Sequence, residues 1–157
     1  MSKNSTKLIV IAGSARNLGK THLLREIGHS LLPSRVESLK IGHGAPSPEK
    51  PERLFHDPVA AWNDVQERRH QDPPDFFLIE TGTLPEAFSP DLLIFLVAPS
   101  GEEKPRSHLI KARAHLIIDR HFSPDTLNDR LASLLGDTRP APALIGQFHY
   151  LYGETHG

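Results

Sequence analysis

The chain has no cysteine. Disulfides and thiolate metal sites are therefore excluded, and any metal would have to be held by histidine or carboxylate groups. Charge of one sign is also missing in excess: 18 lysines and arginines stand against 19 aspartates and glutamates, a net of −1, with the basic residues scattered. Such a surface has no extended positive stripe, so neither nucleic acid nor an anionic membrane is an expected partner. Small molecules or other proteins are. Long apolar runs are absent too, because nothing approaches the roughly 20 residues needed to span a bilayer. The first residues, Met1-Ser-Lys-Asn-Ser-Thr-Lys7, flow into an apolar strand without a cleavage signature, and a cytoplasmic protein is expected.

What the chain does have begins at once. With 157 residues it has room for one domain with a real core. The segment Lys7-Leu-Ile-Val-Ile-Ala-Gly13-Ser-Ala-Arg-Asn-Leu-Gly19-Lys20-Thr21 is an apolar strand followed by a glycine-anchored loop that opens a helix. Backbone N–H groups and a helix N-terminus converge in this arrangement, and their partial positive charge favours phosphate oxygens. Gly13, Ser14, Asn17, Leu18, Gly19, Lys20, Thr21 and His22 are the candidate phosphate-binding residues. Lys20 would reach the β- and γ-phosphates, and the Thr21 hydroxyl would hold Mg²⁺. The spacing is irregular, since five residues separate Gly13 from Gly19 where the common pattern has four, and Ser14 occupies the usual place of the first glycine. The bland alternative is a helix N-terminus that merely follows a buried strand.

Apolar strands and amphipathic helices alternate along the rest. Strands are expected at 8–12, 36–41, 76–79, 92–98, 115–119 and 143–148, and helices over 20–32, from Asp57-Pro58 to about His70, and from Ser123-Pro124 to Gly136. The stretch 42–57, rich in proline and glycine, is expected to be a long loop. This order predicts an α/β fold: a doubly wound, mostly parallel sheet with helices on both faces and ligands at the carboxyl ends of the strands.

At such an end the strand Phe76-Phe-Leu-Ile-Glu80 is followed by Gly82. An acid there can hold Mg²⁺ directly or through water, and a glycine lets its N–H approach a γ-phosphate. Glu80 and Lys20 are thus the candidate catalytic residues, and Thr21 and Glu80 the candidate metal ligands. Asp119 could accept N–H groups of guanine or adenine while Arg120 stacks on the base; a strand end meeting solvent is the competing reading. Ten histidines are spread without close ligand spacing, and His43 and His56, which bracket the 42–57 stretch, are the pair with a possible switch or ligand role. Trp62 falls at core spacing with Val59 and Val65, and Arg68-Arg69-His70 is expected to be a solvated helix end.

These motifs resemble the P-loop NTPases of the SIMIBI class. Phe77-Leu-Ile-Glu80-Thr-Gly82, Phe88-Ser-Pro-Asp-Leu92, Ile94-Phe-Leu-Val97 and Glu103-Lys-Pro-Arg106 are similar to the corresponding stretch of the urease accessory GTPase. The Cys-Pro-His metal motif of that group is absent, and Asp119-Arg120-His121-Phe122 stands where it carries Asn-Lys-x-Asp. The Gly13 to Gly19 spacing, Lys40-Ile-Gly42 and Pro142-Ala-Leu-Ile-Gly146-Gln-Phe148 resemble dethiobiotin synthetase and the cobyrinate amide synthetases, and Lys40-x-x-His43 is similar to molybdopterin-guanine dinucleotide biosynthesis protein B. The resemblance implies Mg²⁺ with GTP or ATP, slow hydrolysis, and an accessory role in cofactor or metal-centre assembly with a protein partner or as a homodimer. It implies a nucleotide-binding role for Lys40. Two alternatives stand beside it: an ATP-dependent ligase that phosphorylates a carboxylate, with Lys40 and the 42–57 stretch holding substrate, and a non-hydrolysing module that signals its nucleotide state.

Overall fold

The computed structural model describes residues 6–14, 20–42, 53–86, 88–119 and 124–136. Its elements are β1 (Lys7–Gly13), α1 (Lys20–Leu31), β2 (Val36–Ile41), β3 (Arg53–Phe55), α2 (Pro58–Gln71), β4 (Phe76–Thr81), β5 (Leu92–Leu96), α3 (Ser107–Lys111), β6 (Leu116–Ile118) and α4 (Pro124–Leu135). The six strands form one sheet in the order β3-β2-β4-β1-β5-β6, and every neighbouring pair is parallel. The expected α/β doubly wound architecture is the one observed.

Parallel strands need cover on both faces, and the sequence supplies it by making the central strands apolar throughout. Along β1, Ile9 and Ile11 join Leu23, Leu24, Ile27 and Leu31 of α1 and Leu127 and Leu131 of α4 on one face. Leu8, Val10 and Ala12 join Trp62 and Val65 of α2 and Ile110 of α3 on the other. The start of β1 is pinned from the side: the Leu8 N–H donates to Asp91 Oδ2 at 2.7 Å, and the Thr6 hydroxyl donates to the Pro74 carbonyl at 2.7 Å.

Helix ends follow the local chemistry. Asp57 caps α2, its carboxylate accepting the Val59 N–H at 3.0 Å, with Pro58 in the first turn where a missing N–H costs nothing. Gly136 follows α4 with φ +84°, a left-handed conformation that glycine takes without a Cβ penalty. Ser123 and the strand expected at 143–148 lie outside the described residues.

Three expectations need correction. Within the expected loop 42–57, Arg53–Phe55 is a strand, pairing Leu39 with Arg53 through Ile41 with Phe55. Three residues are too few to display a periodicity, and what holds them is tertiary: Arg53 pairs with Asp64 of α2 at 2.9 Å and lies over the Phe55 ring. The short helix α3 was not anticipated, for the same reason of length. Arg68 is not simply solvated; it bonds Glu37 of β2 at 2.6 Å, tying α2 to that strand, and lies 3.4 Å from Asp64 of its own helix. Trp62, by contrast, is core as expected, buried and tilted against Phe88 with centroids 4.4 Å apart. Among the described residues, no helix is long and apolar enough to cross a membrane.

Candidate nucleotide site

The topology gathers the candidate residues before any side chain is considered. β1 is flanked by β4 on one side and β5 on the other, so chain crossings diverge from it, and in open α/β sheets the crevice at the carboxyl ends of such strands is where ligands bind. Gly13 and Ser14 end β1, and Lys20 and Thr21 begin α1. The intervening Asn17, Leu18 and Gly19 lie outside the described residues.

Glu80 arrives at this crevice by register. It pairs with Ile11 of β1 and Lys40 of β2, and aligned residues of parallel strands share a face. That face is the one covered by α1, where Ile11 and Leu78 pack against Leu23 and Leu24. A carboxylate two residues beyond Leu78 and level with Ile11 therefore meets the first turn of α1. There the Thr21 hydroxyl donates to Glu80 Oε1 at 2.5 Å, the short range of a charge-assisted O–H···O⁻ bond. Lys40 Nζ lies 4.0 Å from the other oxygen, Oε2. Glu80 itself is buried.

Lysine charge accumulates around this one acid. Burial holds the Lys20 ammonium below its ordinary value of 10.5, Glu80 opposes that effect, and the nearby charges of Lys104 and Lys40 add to it. Among the described residues, three ammonium groups thus act around the Glu80 carboxylate, at the positive end of the α1 dipole. Such a field favours an anion. The oxygen donors Thr21 and Glu80 suit Mg²⁺, a hard cation that commonly takes one or two protein oxygens and completes its shell with phosphate and water. Among the described residues there is no group of three or more histidine and carboxylate side chains able to hold a metal. An all-protein metal cage is thus absent there, and the residues fit Mg²⁺ carried with a phosphate ligand.

The other candidates divide. Ser14 is committed to structure: its hydroxyl accepts the Ala98 N–H at 2.9 Å, and its own N–H donates to the Leu96 carbonyl. It locks the end of β1 to the end of β5, which explains a serine at that position better than direct ligand contact. Gly82 is exposed, and a Cβ built there would meet nothing within 4 Å. Protein packing therefore does not require glycine at this point. Its position is fixed from both sides, because the Thr81 hydroxyl accepts the Thr83 N–H at 3.0 Å and donates to the Thr83 carbonyl at 2.7 Å. His22 is exposed and lies 3.7 Å from Glu26 one helical turn on. Asp119 follows β6, half-buried and at the same end of the sheet, but two strands from β1. At the usual strand spacing that is roughly 10 Å, the distance of a base and not of a phosphate group. Arg120 and His43 lie outside the described residues, and His56 is exposed.

Sequence reasoning missed Lys104. Its backbone N–H donates to the Ser14 carbonyl at 2.6 Å, a contact between distant segments that no local pattern announces; its place in a resemblance motif was the available signal. No protein-family model matches the chain, and no curated protein matches it.

Proposed function

We propose that this chain is a P-loop NTPase of the SIMIBI class that binds a Mg²⁺–nucleoside triphosphate, GTP or ATP, at the carboxyl ends of β1, β2 and β4 and hydrolyses it slowly as an accessory in cofactor or metal-centre assembly. The observation that carries the reading is the Thr21 to Glu80 hydrogen bond of 2.5 Å. It joins the hydroxyl of Thr21, in a helix that begins within the Gly19-Lys20-Thr21 sequence, to a buried carboxylate near a strand end, the two oxygens a phosphate-bound Mg²⁺ would need. Lys20 at the start of α1 supplies charge to the phosphates, and Mg²⁺ bound there would neutralise charge on the β and γ groups. Phosphoryl transfer depends on positioning and charge neutralisation more than on covalent participation by the protein, and these residues offer both. Isothermal calorimetry with ATP and GTP, each with and without Mg²⁺, tests the reading; no heat with either triphosphate would end it.

Lys40 favours a second reading within the same class. It lies beside Glu80 and a third of its side chain is exposed, so its ammonium could receive the carboxylate of a substrate phosphorylated by ATP. Phosphate release that requires an added carboxylate compound would distinguish this ligase chemistry from simple hydrolysis. The expected protein partner or homodimer belongs to the proposal as well.

A further inference from the structure

Lys104 is held beside the end of β1, and its charge acts on Lys20. Its N–H donates to the Ser14 carbonyl at 2.6 Å, just past the end of β1, and its carbonyl accepts the Ser107 N–H at 3.1 Å, at the start of α3. The backbone is therefore fixed on both sides, against β1 and against a helix that buries Ile110 in the core. The side chain is half-buried. Unlike Lys40, Lys104 has no carboxylate within ion-pair distance among the described residues, and its sequence neighbours Glu102 and Glu103 are exposed.

The charge count gives this lysine a meaning. Among the described residues, Lys20, Lys40 and Lys104 stand against Glu80, an excess of two positive charges. A triphosphate carries roughly four negative charges at neutral pH, and its Mg²⁺ removes two, so the complex brings about two; the corresponding diphosphate complex brings about one. Of the two, the triphosphate complex is the one that balances these four described groups.

We propose that Lys104 is a further ligand-binding residue, the cation that contacts the terminal phosphate and makes this site prefer a triphosphate to a diphosphate. The inference rests on the nucleotide-binding reading above. It adds to it that discrimination between the two nucleotide states resides in the segment after β5, linked through Ser14 to the end of β1 and through Ser107 to α3.

The test is calorimetric titration of the full chain with Mg²⁺–ATP, Mg²⁺–ADP, Mg²⁺–GTP and Mg²⁺–GDP, using the parent, Lys104→Gln, Lys104→Met and Lys104→Arg. Gln and Met should weaken triphosphate binding by about tenfold or more, the size of a lost charge-assisted contact, and diphosphate binding by less than about twofold. Arg should keep most of the preference. Circular dichroism checks folding, and Met, which retains the apolar stem, serves if Gln fails to fold. Equal weakening of both nucleotides, no weakening, or a parent that binds both equally overturns the role of Lys104 while leaving nucleotide binding intact. A parent that binds neither overturns both.

Discussion

Glu80→Gln separates the two jobs assigned to Glu80, which are partnering Thr21 and organising a cation. The amide retains the shape and can still accept the Thr21 hydroxyl, but it removes the negative charge that faces Lys20 and Lys40. A hydrogen bond to a charged group contributes about 1.5–3 kcal/mol and a neutral one about 0.5–1.5, so the bond at 2.5 Å loses roughly 1–1.5 kcal/mol. The Lys40 pair at 4.0 Å would be about 4 kcal/mol gross at an effective dielectric constant near 20. A third of the Lys40 side chain is exposed, however, and pairs of that kind contribute at most about 1 kcal/mol. Removing a buried charge relieves a desolvation cost of at least similar size. The ligand-free protein should therefore lose no more than about 2 kcal/mol, read from urea unfolding. The Mg²⁺ effect should be larger in proportion. The ratio of triphosphate affinities with and without Mg²⁺ should fall about tenfold or more, as for lost metal-organising groups elsewhere, and any hydrolysis by about a hundredfold. A folded variant with the parental Mg²⁺ ratio would refute the reasoning and reduce Glu80 to a structural partner of Thr21.

Lys20→Met should lower triphosphate affinity to about a tenth of the parental value or less, yet leave the ligand-free protein at neutral pH at least as stable as the parent in urea. Because the folded-state pKa of Lys20 is lowered from 10.5, the unfolded chain binds more protons between the two values, so this group costs stability below that window and the cost disappears as pH rises through it; the advantage of the variant should shrink as pH approaches 10.5. Asp57→Ala removes the α2 cap and should cost about 1 kcal/mol in the same assay. Competition between ATP and GTP should show only modest discrimination, since Asp119 can accept donors from either base; a preference above roughly a thousandfold would mean that a buried polar group elsewhere is left unpaired by the wrong base.

How much of this was legible in the sequence depends on whether the signal was local. β2 was readable to the residue, bounded by Pro33 and Gly42, and α1 to within one residue, because four inward leucines and isoleucines recur at helical spacing. The limits of β4 were not, since Glu80 and Thr81 extend the strand only because Lys40 and Ile41 pair with them. Arg53–Phe55 had no pattern of its own and exists through its neighbours β2 and α2. The same division runs through the site. The meeting of Thr21 with Glu80, 59 residues apart, was legible because strand end and helix start are themselves local signals. Lys104, the Thr81–Thr83 turn and the structural role of Ser14 depend on how the ends of β1, β4 and β5 are placed side by side, which composition and spacing do not encode.

The site also explains why the carboxyl end of this sheet is a poor place to look for stability. Its centre is a buried acid and a lysine whose charging is opposed by burial and by two further lysines, whereas the opposite end of β1 is closed by neutral or satisfied bonds through Thr6 and Asp91. Hydrophobic clusters cover both faces of the central strands β1, β4 and β5, so the core can carry a cluster of lysines at one end of the sheet without losing the fold. An anion that enters this cluster removes the repulsion among Lys20, Lys40 and Lys104 at the same time as it makes contacts of its own. Its binding energy then appears as stability of the folded state, by about 2.7 kcal/mol at a concentration one hundred times the dissociation constant. Thermal stabilisation should consequently follow ligand charge: inorganic phosphate least, Mg²⁺–diphosphate next and Mg²⁺–triphosphate most. The order would flatten in 1 M salt if exposed charge alone were responsible, since screening there acts within about 3 Å. A partly desolvated cluster should instead keep the ranking while losing part of its amplitude. Inorganic phosphate stabilising as strongly as the Mg²⁺–triphosphate would show that the lysines act as a diffuse positive patch, and that their alignment with Glu80 and Thr21 serves the fold alone.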